Sequence, residues 1–253
     1  MNQYQLNKEI EALIQAKDLK RKSYSRADIE FIMQYEGYGG QAAKGAKERG
    51  LLDEYFTPDY IADIMYQLAL KHGYDGGAVL EPSIATGNII KPFPKKTKIT
   101  AFEINHYSKR ICELRFPKAK VYEQYFETAF LQEPRYTTKM NAKKPTWLSD
   151  YPFSLVIGNP PYGKHSSRYT SYFTGKDRFK QVEIFFMYKS LQLLKKNGLL
   201  VFITSSGFMR NGLSYNVEKQ RIADIADFVD AYRLPKVFRS TDVPTDILIF
   251  RRI

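Results

Sequence analysis

In the first fifty residues, apolar positions recur at helical spacing. Leu6, Ile10, Leu13 and Ile14 fall on one helical face. Ser25 is placed to cap a second helix running to about Tyr35. Gly37, Gly39, Gly40 and Gly45 then break the pattern. A third helix is predicted with Thr57 as its cap, Pro58 in its first turn and Ile61, Ile64, Met65 and Leu68 on its apolar face. After Gly76-Gly77 the pattern changes. Strands are predicted over residues 78–81, 99–104, 120–124, 153–158, 199–204, 228–233 and 246–251. Helices are predicted over residues 107–114, 182–194 and 217–225, the middle one stopped by Asn197-Gly198. Such alternation specifies an α/β fold, a mostly parallel sheet with helices on both faces. Residues 132–150 and 163–180 are too polar and irregular for either period, and mobile loops are expected there.

Length and composition narrow the class. A chain of 253 residues holds one full α/β domain with a small appendage, so residues 1–50 are expected to form a helical extension on a domain spanning 51–253. No stretch approaches a membrane span, and the polar helical start is unlike a signal peptide. The single cysteine, Cys112, excludes a disulfide framework and a cysteine-built metal site. A cytoplasmic protein is expected, with Cys112 a small core residue rather than a nucleophile.

The formal net charge of +12 favours a polyanionic partner, nucleic acid above membrane. Three basic clusters carry much of it: Lys91, Lys95, Lys96 and Lys98; Arg135, Lys139, Lys143 and Lys144; and Lys164, Arg168, Lys176, Arg178 and Lys180. The third is interleaved with Tyr169, Tyr172 and Phe173, a mixture suited to a nucleic-acid channel. A solvated lysine-rich surface is the alternative for the first two.

The most informative stretch is Asn159-Pro160-Pro161-Tyr162, directly after the apolar run Phe153 to Gly158. That run reads as a buried parallel strand, and two prolines cannot continue its ladder. An amide and an aromatic ring are thus held at the carboxyl rim of the sheet, where ligands of such sheets bind. An amino group on a planar ring needs acceptors for its hydrogens and a face to stack on. Asn159 offers a carbonyl oxygen, Pro160 a backbone carbonyl and Tyr162 a ring. Upstream, Leu80-Glu81-Pro82-Ser83-Ile84-Ala85-Thr86-Gly87-Asn88 follows the first strand with small residues that let a ligand approach the backbone. Glu103 ends the next strand, where a carboxylate can accept from both hydroxyls of a ribose. Each of these two signals is weak by itself; their order along the chain is not. His72, His106 and His165 are scattered, and each reads as surface or structural. No motif for metal binding or a covalent nucleophile is present.

From about Tyr35 onward the chain resembles the adenine-N6 DNA methyltransferases whose cofactor motifs precede the catalytic motif, in particular a subgroup carried by phages and mobile elements. The resemblance implies a Rossmann-like methyltransferase fold of seven strands, the C-terminal one antiparallel, with S-adenosylmethionine as cofactor, DNA as partner and restriction–modification as the setting. It places Tyr55, Phe56, Thr57 and Pro58 at the methionine end of the cofactor and Glu81, Ser83, Ala85 and Gly87 in its loop. Glu103 and Ile104 then lie at the ribose, and Phe126, within Gln124-Tyr125-Phe126-Glu127, on the cofactor adenine. Asn159, Pro160, Pro161 and Tyr162 form the catalytic turn, Asn159 also bordering the cofactor. Phe208 would flank the target pocket, and Arg233-Leu234-Pro235 with residues 245–250 would form the closing hairpin. Ala85 stands where many relatives carry glycine, which requires a negative φ there. Tyr125 replaces a frequent acidic reader of the cofactor's amino group, leaving Glu123 and Glu127 as substitutes.

The mechanism implied is methyl transfer to N6 of a flipped adenine. Tyr162 and Phe208 would stack on the base, and Lys164, Arg168, Arg178 and Lys180 would hold the DNA backbone. The alternatives are the same chemistry on an RNA base or a protein glutamine, and a non-catalytic DNA-binding subunit. DNA enzymes of this motif order usually carry a recognition domain after the last catalytic strand. Here it is expected to be missing, supplied by a separate partner, or replaced by binding of low specificity.

Overall fold

In the computed structural model, residues 2–37, 55–131, 148–210, 215–238 and 242–253 are described. Two helices open the chain, α1 (Gln3–Leu19) and α2 (Arg26–Ile32). Ser25 caps α2 in a reciprocal box with Asp28, as its position in the sequence predicts. Helix α3 (Asp59–Lys71) departs from expectation at its start. Pro58 itself is the N-cap, and Thr57 makes no capping bond. Thr57 is instead buried, and its carbonyl accepts from Asn88 Nδ2 at 3.0 Å.

The remaining elements alternate. They are β1 (Val79–Glu81), β2 (Ile99–Glu103), α4 (His106–Arg115), β3 (Lys120–Glu123), β4 (Phe153–Gly158), α5 (Val182–Leu193), β5 (Leu194–Ser205), α6 (Asn216–Ala223), β6 (Ala226–Arg233) and β7 (Thr245–Arg252). The seven strands form one sheet in the order β3-β2-β1-β4-β5-β7-β6. All neighbours are parallel except β7, which runs antiparallel to both β5 and β6. The strand order reverses between β1 and β4, which creates the crevice where ligands of such sheets bind.

Continuous apolar runs are explained by burial on both faces. Successive residues serve opposite layers. Val156, Leu200, Phe202, Leu248 and Phe250 pack on one side with Phe185, Met187 and Leu191 of α5. Leu155, Ile157, Val201, Ile203, Ile247 and Ile249 pack on the other with Ile61 and Met65 of α3. Each such side chain contributes about 1.5–3 kcal/mol by leaving water. Ile64, expected on the apolar face of α3, is 43% exposed instead. Cys112 is buried in the second layer, and burial pushes its thiol up. Helices α1 and α2 form a third cluster with α4 through Ile10, Ile14, Ile32 and Ile111, and Arg110 grips Asp18 with two nitrogens at 2.8 and 2.9 Å.

Two loop expectations need correction. Asn197-Gly198 does not stop α5. That helix ends at Leu193 and β5 follows at once, with Asn197 at φ 63° inside an irregularity where the β4–β5 register shifts. Residues 163–180 also carry more core contacts than their composition suggests. The loop is pinched at its base, where His165 N donates to Lys180 O and Val182 N to Gly163 O. Its Phe173 and Phe179 are buried in the core, and Asp177 pairs with the buried Lys189 at 2.7 Å. Buried rings, which neither period reveals, tie the loop down. Residues 132–147, with the second basic cluster, lie outside the described residues, as do Gly39, Gly40 and Gly45. Among the described residues no helix is long and apolar enough to cross a membrane.

Candidate active site

At the carboxyl ends of β1 to β4 lies a cleft of about 720 Å³, within the range of pockets that hold small ligands. Asn159-Pro160-Pro161-Tyr162 forms one wall. The amide of Asn159 is held from three directions. Its Nδ2 donates to the carbonyl of Tyr55 at 3.2 Å, its backbone carbonyl accepts from Ser83 Oγ at 3.2 Å, and its Oδ1 accepts from the Tyr162 hydroxyl at 2.7 Å. The Tyr55 contact settles which end of the amide is which, leaving Oδ1 as the acceptor. Burial pushes the Tyr162 phenol up, so its hydroxyl stays a donor at neutral pH.

The opposite wall comes from the ends of β1, β2 and β3. Glu103 Oε2 accepts from Ala85 N at 2.8 Å and its Oε1 from Asn105 N at 2.7 Å, which fixes the carboxylate between two backbone turns. Ala85 has φ +50°, so the negative φ expected for an alanine is wrong. The left-handed conformation costs roughly 1–2 kcal/mol. A hydrogen bond to a charged group contributes about 1.5–3 kcal/mol, and the one to Glu103 offsets that strain. Gly87 also has positive φ, but it does not line the cleft. A Cβ there would meet the Phe116 ring at 2.6 Å, so its smallness serves packing against α4. Phe126 borders the cleft with little exposure, its ring tilted against Phe186 at 4.9 Å.

Tyr55, Phe56, Ser83, Ala85, Glu103, Ile104, Phe126, Lys164 and Arg168 all line this cleft with the catalytic turn. Thr57 and Glu81 line a smaller adjoining cavity with Asn159. Glu81 is fully buried. Its Oε1 accepts from Ser83 N at 3.1 Å, its Oε2 has no partner, and desolvation pushes its carboxyl up to about 8. Five expected residues fall elsewhere. Pro58 and Gly87 line neither cavity. Arg178 and Lys180 are exposed on the loop rim. Phe208, expected beside the target base, also lies outside the cleft lining and is buried against Phe250 with ring centroids 6.2 Å apart.

Several lining residues were not singled out from the sequence, Gln124, Asn105 and His165 among them. Gln124 and Asn105 join the cofactor wall, and His165, read as surface or structural, is buried. His165 Nε2 lies 3.2 Å from Glu127 Oε1. Of the two substitutes for an acid at Tyr125, Glu127 lines the cleft, whereas Glu123 pairs with His106 outside it.

The residues present fit a nucleoside-type cofactor. A fixed carboxylate with oxygens at a strand end, a glycine-like turn at Ala85 and an unsatisfied buried Glu81 oxygen are features that such a ligand uses.

The arrangement defines a class, the Rossmann-like fold of class I methyltransferases. The model of the Eco57I restriction-modification methylase family matches residues 14–234, and the chain belongs to that family. It is 28% identical over 229 residues to defense against restriction protein B of Escherichia phage P1, covering 85% of this chain but 9% of the phage protein. A modification subunit assigned to a type I restriction enzyme of Vibrio vulnificus superposes with a TM-score of 0.60 at 15% identity, over 91% of this chain and 50% of that one. A protein from Listeria monocytogenes assigned to the class I S-adenosylmethionine-dependent methyltransferases gives the same score and identity, over 91% of this chain and 69% of that one. The chain therefore spans a small part of the phage protein and half of the Vibrio subunit.

Proposed function

We propose that this chain transfers a methyl group from S-adenosylmethionine to N6 of a flipped adenine in DNA. The observation that carries the reading is the oriented Asn159 amide, which lines a cleft together with the Glu103 carboxylate and Phe126. Bound S-adenosylmethionine supplies an electrophilic methyl on a sulfonium. Glu103 would hold its ribose hydroxyls, Phe126 and Ile104 its adenine, and Glu81, Ser83 and Thr57 its amino-acid end.

The chain's own residues do the rest. Asn159 Oδ1 and the Pro160 carbonyl accept the two hydrogens of the target amine. That draws the nitrogen lone pair out of conjugation and toward the methyl. Tyr162 stacks on the extruded base, worth roughly 1–3 kcal/mol, which offsets part of the cost of unstacking it. The methyl–sulfur bond breaks as the nitrogen–methyl bond forms, and the methylated nitrogen then sheds one proton to water, so catalysis is positioning and electrostatics with no strong base required. DNA is favoured over a glutamine amide by the net charge of +12 and by the exposed cations on the loop beside the turn. Membership of a restriction-modification methylase family points the same way.

The decisive experiment incubates the full chain with labelled S-adenosylmethionine and, in parallel, DNA, RNA and protein. Single-molecule sequencing of the DNA then locates methylated adenines. Label in RNA or protein alone would overturn the DNA reading.

A further inference from the structure

Two segments from different strands meet across the cleft. One follows β3 and carries Tyr125, Phe126 and Glu127; the other follows the catalytic turn and carries His165 and Arg168. They are joined at two depths. Inside, His165 Nε2 lies 3.2 Å from Glu127 Oε1, with the side chains 1% and 3% exposed, and the imidazole stacks on Phe185 at 4.2 Å. At the rim, the Arg168 guanidinium sits over the rings of Tyr125 and Tyr169 at 5.2 and 5.0 Å, and those two rings meet edge to face.

Both contacts are unusual for a mere connection. Burying a carboxylate beside an imidazole whose Nδ1 has no partner costs free energy that an apolar pair at the same place would not. The rim arginine, although exposed, lies over two rings rather than standing clear of the surface. His165 is three residues from Tyr162, and Glu127 is the neighbour of Phe126. A clamp here sets the distance between the two walls that must hold donor and acceptor.

We infer that His165 and Arg168 are positioning residues that clamp the segment bearing Asn159 and Tyr162 to the cofactor wall. Filling the cofactor side then fixes the geometry of the target side. This deepens the transferase reading above and rests on it. The reacting atoms must approach within about 3–3.5 Å, and a misplacement of about 1 Å can cost 100-fold in rate. Arg168, expected to contact DNA, is thereby reassigned to the clamp.

The test uses the full chain and two variants. His165→Phe keeps a ring against Phe185 but loses the bond to Glu127. Arg168→Met removes only the exposed cation and leaves the core intact. Calorimetry with S-adenosylmethionine counts competent sites, methyl incorporation into mixed-sequence plasmid DNA gives kcat per site, and amide exchange over residues 163–173 is followed with and without cofactor. In the wild type, cofactor should slow that exchange. Both variants should bind cofactor within about threefold of wild type. The kcat should fall about tenfold or more for His165→Phe and about two- to fivefold for Arg168→Met, and cofactor-dependent protection should weaken in each. If His165→Phe does not fold, Arg168→Met decides. Unchanged kcat and unchanged protection in Arg168→Met, or no protection in the wild type, overturn the clamp. A wild type that shows protection but methylates no DNA removes the transferase reading and leaves the clamp standing.

Discussion

The Tyr162 hydroxyl donates to Asn159 Oδ1 at 2.7 Å, so the ring proposed to stack on the base also occupies the acceptor proposed for its amine. The two roles compete for one oxygen. The amide oxygen has two lone pairs, so an amine arriving along the one the phenol occupies must displace it, at the cost of a hydrogen bond worth about 0.5–1.5 kcal/mol net. Tyr162→Phe removes that competitor and keeps the ring. It should retain methyl transfer and lower the KM for DNA by roughly two- to tenfold. Tyr162→Ala loses the stacking surface and should weaken kcat/KM by roughly 5- to 150-fold. Steady-state kinetics on both variants checks this. Equal damage by Phe and Ala would mean the hydroxyl itself is needed.

Asn159→Ala removes the acceptor while leaving the Glu103 side of the cleft untouched. Methyl transfer should drop by about 100-fold or more, the loss seen when one preorganised polar partner is deleted. Cofactor affinity should stay within a few-fold, because the backbone carbonyl that accepts from Ser83 remains and the side chain gives up one bond on that side, to the Tyr55 carbonyl. Residual activity within a few-fold of wild type would sink the assignment.

Glu103 and Ala85 make a paired prediction. Glu103→Gln keeps the size but loses the charge facing the ribose and turns an NH2 onto one of the two backbone N–H groups, so S-adenosylmethionine affinity should fall by at least about 1.5–3 kcal/mol. Ala85→Gly relieves the left-handed strain and should leave folding stability unchanged or raise it by up to about 1 kcal/mol. Calorimetry tests the first and denaturant unfolding the second. A destabilised Ala85→Gly would show that the turn depends on the methyl rather than tolerating it.

The sheet was legible because both faces of a parallel strand are buried, so runs such as Leu199 to Ile203 leave no polar alternation to confuse. The site was legible where it sits in backbone-defined turns: Asn159-Pro160-Pro161-Tyr162, Ala85 and Glu103 all follow strand ends. What failed was what depends on packing from afar. Phe208 sits near the right strand in sequence, yet Phe250 on β7 holds its ring in the core. His165 and Lys189 are polar in the sequence and buried in the fold, because Glu127 and Asp177 arrive from distant segments to pair with them. Asn197 reads as a helix stop, yet the same left-handed residue serves equally within a strand irregularity.

Lys189 and Asp177 give a prediction about the loop. Lys189 lies over the Phe130 and Phe173 rings at 4.9 and 5.5 Å, and burial pushes its ammonium down while Asp177 opposes that shift. Asp177→Ala strands a buried charge and should cost about 3–5 kcal/mol. Replacing both, as Asp177→Ala with Lys189→Met, should recover most of that loss. Thermal unfolding of the three variants gives the cycle, and a double-variant loss equal to the sum of the two single losses would show the pair is not coupled.

Glu81 sets a pH dependence of folding. Its carboxyl is fully buried and raised to about 8 chiefly by desolvation, with the Glu103 charge adding to it, from an ordinary value of 4.5. Below about pH 4.5 the group is protonated folded or unfolded and costs nothing. As pH rises from there toward 8, the unfolded chain releases the proton while the folded chain keeps it, so this group's contribution to stability falls. Above about pH 8 both forms are ionised and the loss levels off. Each pH unit in the window is worth about 1.4 kcal/mol at most, and the whole about 5 kcal/mol. Asp18 and Asp150 are held below their ordinary values by Arg110 and Lys120, against desolvation, and pull the other way at acid pH. The readable quantity is therefore the difference between Glu81→Gln and wild type. Denaturant unfolding at half-unit steps from about pH 5 to 8.5 should show the variant gaining steadily on the wild type. A difference that stays flat across that window would place an ionised, compensated Glu81 in the folded protein and remove the buried neutral acid from the site.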